Sequence, residues 1–259
     1  MSNLLTEKRQ EAILKIVDER KAVTVTELSE QLDTSESTIR RDLTALDREG
    51  RLKKVHGGAT ALGGYYSTKE DAMPEKYSMN VEEKREIARY AATLVHKDEL
   101  VYLDAGTTTE YMVDYLTEKA AVYVTNGIPI ARKLALRGFS VYIIAGRVKP
   151  ATESVIGSET ADSLRRFNFT VGFFGTNCVS AENGFTTPDI AEARTKTSAM
   201  ARCLRKFVLA DAGKFGKAAP VTFAKLGEAV IITSQLEDRA IRHKTEVVEV
   251  LQGGLYRDV

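Results

Sequence analysis

Between Ser35 and Glu49 the sequence sets hydroxyl and guanidinium groups along one side of a single helical stretch. At about 100° per residue, Ser37, Arg41, Thr44 and Arg48 fall together, with Thr38 and Arg40 on the flanks. Ile39, Leu43 and Leu46 fall on the opposite stripe, and Asp42 and Asp47 lie off the polar face. Hydroxyls and guanidiniums are the groups that read base edges and grip phosphates. A second set of chemistry-bearing residues is Asp104-Ala105-Gly106-Thr107-Thr108-Thr109. A glycine and three hydroxyl residues at a strand-to-helix turn suit an anion, because free backbone N–H groups and the helix N-terminus supply positive potential. The same residues also suit a plain tight turn with a threonine N-cap.

The first set needs a scaffold, and the flanking sequence provides one. A helix from about Thr6 carries Ile13, Ile16 and Val17 on one face. Thr24 and Glu27 have capping-box spacing, with Val23 and Leu28 at the staple positions and Leu32 facing inward. Asp33 and Thr34 break the pattern, Ser35 caps a third helix, and Gly50 stops it. A capped short helix, a tight turn and a longer helix make a helix-turn-helix. Arg51-Leu52-Lys53-Lys54-Val55-His56-Gly57-Gly58 then reads as a short β-wing that brings Lys53, Lys54 and His56 to a phosphate backbone. The competing reading is a small helical module with solvated charges, used for protein contacts. The joint order of caps, polar face and basic wing favours double-stranded DNA.

The second set sits among repeated strand–helix units. Leu100 to Asp104, Ala121 to Thr125, Ser140 to Ala145, Phe169 to Phe174, Lys206 to Ala210 and Ala229 to Thr233 read as short apolar strands. Helical patterns separate them, which predicts an α/β fold with an open, largely parallel sheet. Polar residues recur just after the strands, where such sheets bind ligands. The domain reading is a winged helix-turn-helix over 1–58, a linker over 59–80 rich in Gly, Ser and Pro, and an α/β domain over 81–259.

Bulk properties bound the alternatives. The net charge of +1 neither requires nor excludes nucleic acid, so the case rests on where charge is placed. Cys178 and Cys203 cannot build a disulfide framework, and no Cys/His spacing suggests zinc. No metal or cofactor is expected. No secretory signal or membrane-length apolar run is visible, so a cytoplasmic protein without membrane contact is expected.

Ser35-Glu36-Ser37-Thr38-Ile39-Arg40-Arg41-Asp42-Leu43, Glu49-Gly50 and the wing ending His56-Gly57-Gly58-Ala59 resemble the signature of the DeoR family. Asp104 to Thr109, Thr125-Asn126, Phe185-Thr186-Thr187-Pro188-Asp189 and Ala210-Asp211-Ala212-Gly213-Lys214-Phe215-Gly216 resemble its effector domain. The resemblance implies a repressor released from its operator by a phosphorylated sugar. It implies DNA contacts from Ser35, Ser37, Thr38, Arg40, Arg41, Thr44, Arg48, Lys53, Lys54 and His56. It implies effector contacts from Asp104, Gly106, Thr107, Thr108, Thr109, Asn126, Arg147, Asn177, Lys196 and Lys214. Asp104 to Glu110 and Val230 to Gln235 look most like regulators of fructose operons in Gram-positive bacteria, which makes fructose 1-phosphate the first candidate effector, with tagatose, galactose and other ketose phosphates as the alternatives. Reading two half-sites calls for a homodimer or homotetramer.

The loop order also resembles ribose-5-phosphate isomerase, whose fold the family's effector domain shares. An isomerase-like enzyme with an accessory helical domain is therefore the competing function. The resemblance puts carboxylates in the loop matching 175–179 and a glutamate base near Thr195. This sequence has no acid in that loop, and Glu192 lies one helical turn before Thr195. Proton abstraction needs a positioned base, so ligand binding without turnover is expected.

Overall fold

The computed structural model describes residues 2–20, 22–55, 58–60, 73–250 and 256–258. Contacts divide the chain into two units, Met1–Tyr66 and Ser67–Val259. No helix among the described residues is long and apolar enough to cross a membrane.

In the first unit, α1 spans Ser2–Arg20, earlier than the Thr6 start expected from its apolar face. Strand β1 (Ala22–Thr24) leads into α2 (Val25–Gln31), whose capping box closes as its spacing predicts. Glu27 N–H donates to Thr24 Oγ1 at 3.2 Å, and Thr24 N–H donates to Glu27 Oε2 at 2.7 Å. Helix α3 (Glu36–Arg48) starts at the Ser35 cap, and Gly50 past its end has φ +68°, the left-handed backbone that favours glycine. Ile13, Leu28, Ile39, Leu43, Leu46 and Leu52 are fully buried together. Each such side chain stabilises the unit by about 1.5–3 kcal/mol relative to exposure.

Strands β2 (Lys53–Val55) and β3 (Gly58–Thr60) pair antiparallel, and β3 also pairs with β1, in the order β1-β3-β2. This is the wing. A Cβ on Gly58 would meet Val23 O at 2.1 Å, so the close approach of β3 to β1 requires glycine there.

The linker assigned to 59–80 is too long at both ends. Ala59 is buried in the first unit's core, because β3 completes that unit's sheet. Met73–Ser78 form helix α4, which packs on the second unit. Residues 61–72 lie outside the described residues.

The second unit is built on an eight-stranded sheet flanked by helices. Its first half comprises α5 (Val81–Thr93), β4 (Leu100–Leu103), α6 (Thr107–Tyr115), β5 (Val122–Thr125), α7 (Ile128–Leu136) and β6 (Ser140–Ile143). A hairpin of β7 (Arg147–Lys149) and β8 (Ser154–Ile156) and helix α8 (Ser158–Leu164) lead to β9 (Phe169–Gly175). Strands β10 (Cys178–Ser180) and β11 (Gly184–Thr187) precede α9 (Ile190–Met200) and β12 (Cys203–Leu209). The chain ends through β13 (Val221–Ala224), β14 (Val230–Thr233), α10 (Arg239–Arg242), β15 (Val247–Val250) and β16 (Tyr256–Asp258).

The sheet order is β16-β15-β14-β12-β9-β4-β5-β6, with every pair parallel except β15–β16. Alternating residues feed two cores, as a sheet covered on both faces requires. Tyr102 and Phe174 face one, while Val101, Leu103 and Phe173 face the other. From β4 the chain winds one way through β5 and β6, then returns to β4's other side and winds away through β9, β12, β14 and β15. The winding therefore reverses between β4 and β9, where open sheets of this kind leave a crevice. Strands β10, β11 and β13 form a separate antiparallel sheet.

Candidate functional site

In the first unit, α3 carries the polar face that its periodicity predicts. Ser37, Arg40, Arg41, Thr44 and Arg48 are exposed, and Thr38 is half-buried. They are not equally available. Arg40 is drawn to Glu36 at 2.9 Å, and Thr44 Oγ1 donates to Arg40 O. Ser35 Oγ is engaged with Ser37 and Thr38 at the cap. No hydrogen bond or ion pair ties Arg41 or Arg48 among the described residues. The wing is joined to this face by Lys54, whose Nζ donates to Thr44 Oγ1 at 2.7 Å and whose N–H donates to Asp47 Oδ1 at 2.9 Å. Lys53 lies on β2 opposite Thr60. His56 lies outside the described residues.

Asp42 supports the face from behind. It is 3 % exposed and accepts from Arg9 Nε at 2.6 Å and Nη2 at 3.2 Å, tying α1 to α3. A bidentate charge-assisted pair of this kind fixes orientation as well as distance.

In the second unit a cleft opens at the carboxyl ends of β4 and β9, the reversal point. Asp104, Gly106, Thr107, Thr108, Asn126, Asn177, Lys196 and Lys214 all border it, although they come from five separate stretches of sequence. Lys76, Lys84, Thr152, Ser154, Thr176 and Glu192 border it too.

Helix α6 begins at the cleft wall, and no side chain caps it at Gly106. Its first-turn N–H groups and the Thr107 and Thr108 hydroxyls are thus set beside the opening, the arrangement that attracts an anion. Asp104 is 1 % exposed and accepts from Gly175 N–H at 3.0 Å and from Lys196 Nζ. Lys196 Nζ also donates to Gly175 O at 3.0 Å. Burial pushes the Asp104 carboxyl upward against the pull of Lys196.

Two of the expected effector residues are not brought to the cleft. Thr109 is fully buried, and its hydroxyl donates to Asp104 O at 2.6 Å and Gly106 O at 2.9 Å, so it shapes the turn. Arg147 sits on β7 with an exposed side chain, because the chain has already left the sheet's carboxyl end. Asn126 borders the cleft, yet its side chain is committed to the frame. Its Oδ1 accepts from Tyr102 Oη at 3.0 Å and Ala105 N–H at 2.9 Å, and its Nδ2 donates to Val155 O at 3.3 Å.

Lys84 and Lys76 are among the cleft residues that sequence reading missed. Lys84 is 2 % exposed, and its ammonium donates to Lys76 O. Burial lowers its pKa, with Asp211 pulling the other way and Lys214 and Lys76 adding to the fall. The signal was present: Lys84, Ile87, Ala88 and Ala91 share one stripe of α5, so a lysine stands on a buried face.

Glu192 is charged and occupied. Its Oε1 accepts from Thr152 Oγ1 at 2.8 Å and Lys149 Nζ at 3.1 Å, and its Oε2 accepts from Thr187 Oγ1 at 3.4 Å. Burial would raise its pKa, but Lys196 and Lys149 together hold it below the ordinary glutamate value. Cys178 and Cys203 are both buried free thiols, and no group of acids, histidines and cysteines fit for a metal occurs among the described residues.

A winged helix-turn-helix with a polar face on α3, and an α/β unit with a crevice at its reversal point, define a two-domain transcriptional regulator. The chain belongs to the DeoR family: the DeoR-like helix-turn-helix domain matches residues 9–63 and the DeoR C terminal sensor domain matches residues 79–235. It is 39 % identical to the uncharacterized HTH-type transcriptional regulator FruR of Bacillus subtilis, over 96 % of this chain and 100 % of that one. It is 32 % identical to the lactose phosphotransferase system repressor of Streptococcus mutans, over 95 % of this chain and 98 % of that one. A ribose 5-phosphate isomerase from Methanocaldococcus jannaschii superposes with a TM-score of 0.39 at 14 % identity, over 53 % of this chain and 56 % of that one. A likeness at that level says nothing of chemistry.

Proposed function

We propose that this regulator represses a sugar-utilisation operon and that a phosphorylated sugar bound in the lysine-lined cleft releases it from DNA. The observation that carries the reading is the charge of the cleft. Four lysines, Lys76, Lys84, Lys196 and Lys214, stand against the carboxylates of Asp104 and Glu192. The lining lysines outnumber the lining carboxylates beside an uncapped helix start, with Asp211 4.0 Å from Lys214 offsetting part of the excess, and a phosphate monoester brings about −1.5 to −2 at pH 7. Thr107, Thr108 and Asn177 supply hydroxyl and amide groups for a sugar, whereas the Thr176 hydroxyl donates to Cys178 O at 2.9 Å.

Fructose 1-phosphate is the first candidate, on the likeness of Asp104 to Glu110 and Val230 to Gln235 to regulators of fructose operons. Tagatose and galactose phosphates and other ketose phosphates are the comparison ligands. DNA contact comes from Arg41 and Arg48 on α3 and from the wing, in a homodimer or homotetramer that spans two half-sites.

The state of Glu192 supports binding over turnover. A carboxylate with a depressed pKa, already engaged by Lys149 and Thr152, is a weak general base.

The test is fluorescence anisotropy on a labelled fragment from the chain's own upstream region. Fructose 1-phosphate should release the fragment at concentrations where fructose and inorganic phosphate do not. A fragment held equally tightly with and without every sugar phosphate in the series would refute the reading.

A further inference from the structure

Thr26, Glu36 and Arg40 form a chain of side-chain contacts between the two helices of the helix-turn-helix. Thr26 Oγ1, in the first turn of α2, donates to Glu36 Oε1 at 2.9 Å. Arg40 Nη2, one turn along α3, donates to Glu36 Oε2 at 2.9 Å. Thr26 and Arg40 are exposed, and 44 % of the Glu36 side chain stays open to solvent. An acid in the first turn suits the helix dipole wherever its side chain points. That role does not require a carboxylate held from both sides with its outer edge open.

Glu36 is the first residue of α3. In a helix-turn-helix the N-terminal residues of the second helix reach the base edges. Arg40 stands on the flank of the polar stripe, and Glu36 precedes it by one turn on that flank. Each carboxylate oxygen has one donor among the described residues, while an ionised carboxylate offers about four acceptor sites. The bonds from Arg40 and Thr26 hold the carboxyl below the ordinary glutamate value, so it accepts and does not donate. Cytosine presents an N4 amino donor in the major groove, which a carboxylate matches. Guanine and thymine present acceptors there, and adenine sets its N7 acceptor beside its N6 donor. Those three edges therefore oppose a carboxylate.

We propose that Glu36 reads a cytosine in the major groove, with its carboxylate set in advance by Thr26 and Arg40. The inference rests on α3 being the helix that enters the groove, and it adds an acidic reader to a face of guanidiniums and hydroxyls. A carboxylate also meets the phosphates unfavourably, and the Arg40 guanidinium offsets part of that repulsion. Duplexes without the cytosine keep the repulsion and lose the bond, so Glu36 sharpens the choice of site.

Selection from a pool of randomised duplexes by the full-length chain, followed by sequencing, tests the assignment. Wild type should enrich cytosine at one position of each half-site, at least about fivefold over the other bases. Glu36→Ala should lose that preference and keep those at the remaining positions. Glu36→Gln, which keeps an acceptor for Thr26, should move the preference toward adenine, whose N6 and N7 match an amide. In anisotropy titrations, Glu36→Ala should bind an enriched duplex and its cytosine-substituted form within about twofold of each other, where wild type separates them by at least about fivefold. Unchanged preferences at every position in Glu36→Ala would overturn the proposal. So would an equal gain in affinity for all duplexes, which marks repulsion alone, or preferences altered at every position, which marks a brace for α3. Where Glu36→Ala binds no duplex, Glu36→Gln decides, and a wild-type profile there overturns the assignment. Enrichment of no sequence by wild type would refute α3 as a reading helix, and the role of Glu36 with it.

Discussion

Lys196 on α9 donates its ammonium to the carboxylate of Asp104 at the end of β4, across 92 positions of sequence. Both groups are buried, and the same ammonium reaches Gly175 O at the end of β9. The pair thus bolts together the two strand ends between which the cleft opens. Removing one partner strands the other charge in a buried place, which typically costs about 3–5 kcal/mol. Asp104→Ala should lower the stability of the second unit by that order in urea denaturation. A loss below about 1 kcal/mol would show that the pair is not needed to hold the strand ends.

Thr109 and Thr107 are neighbours with different duties. The buried Thr109 hydroxyl donates to two carbonyls within its own turn. Thr109→Val should cost about 1–3 kcal/mol of stability by removing the hydroxyl donor from the buried Asp104 O, whereas Gly106 O keeps the Glu110 N–H. Effector affinity, measured by calorimetry at a temperature where the variant is folded, should change less than for Thr107→Val.

On α3, Arg41 should matter more than Arg40. Arg41 has no partner among the described residues, whereas Arg40 is held by Glu36. Arg41→Ala should weaken operator binding by about 1–3 kcal/mol and relax base preference. Lys54→Ala should weaken specific and non-specific fragments alike and flatten the salt dependence. Anisotropy titrations at several salt concentrations would separate the two behaviours.

Glu192 predicts the acid limb of the stability curve. Its folded-state pKa is held below the ordinary value of 4.5, chiefly because Lys196 and Lys149 outweigh burial. The stability it contributes is therefore fully present above about pH 4.5 and is lost as pH falls through the lower folded-state value. Glu192→Gln should be less stable than wild type at neutral pH and should lose less on acidification. Parallel denaturation series from pH 7 to pH 3 would check both statements.

Local signals were legible in the sequence, and long-range pairings were not. The Thr24–Glu27 box, the Ser35 cap and the Gly50 stop each depend on residues a few positions apart, and all three form. Six of the parallel strands were visible as apolar runs, most of them buried on both faces, whereas β15, interrupted by Glu249, was not. Strands β10 and β11 escaped notice because they are only three and four residues long. The partnership of Arg9 with Asp42 spans 33 positions, and nothing local announces it. Even so, Asp42 shares a stripe with Ile39, Leu43 and Leu46, as Lys84 does with Ile87 and Ala91. A charged residue on an apolar stripe marks a buried charge whose partner must be sought elsewhere. Arg147 was misplaced for the opposite reason: it follows a strand, but the chain turns away into the β7–β8 hairpin.

Operator affinity of Lys214→Ala and Thr107→Val, with and without fructose 1-phosphate, tests the central claim most directly. Lys214 and Thr107 border the cleft in the second unit, whereas the reading face belongs to the first. Removing a charge-assisted contact from Lys214, or a hydroxyl contact from Thr107, should weaken the ligand and spare the DNA interface. Effector coupling of this kind is typically worth about 1–3 kcal/mol. Both variants should therefore hold the operator as wild type does and require more fructose 1-phosphate to release it, by about tenfold or more. If both variants release DNA at the wild-type effector concentration, the ligand does not act through this cleft.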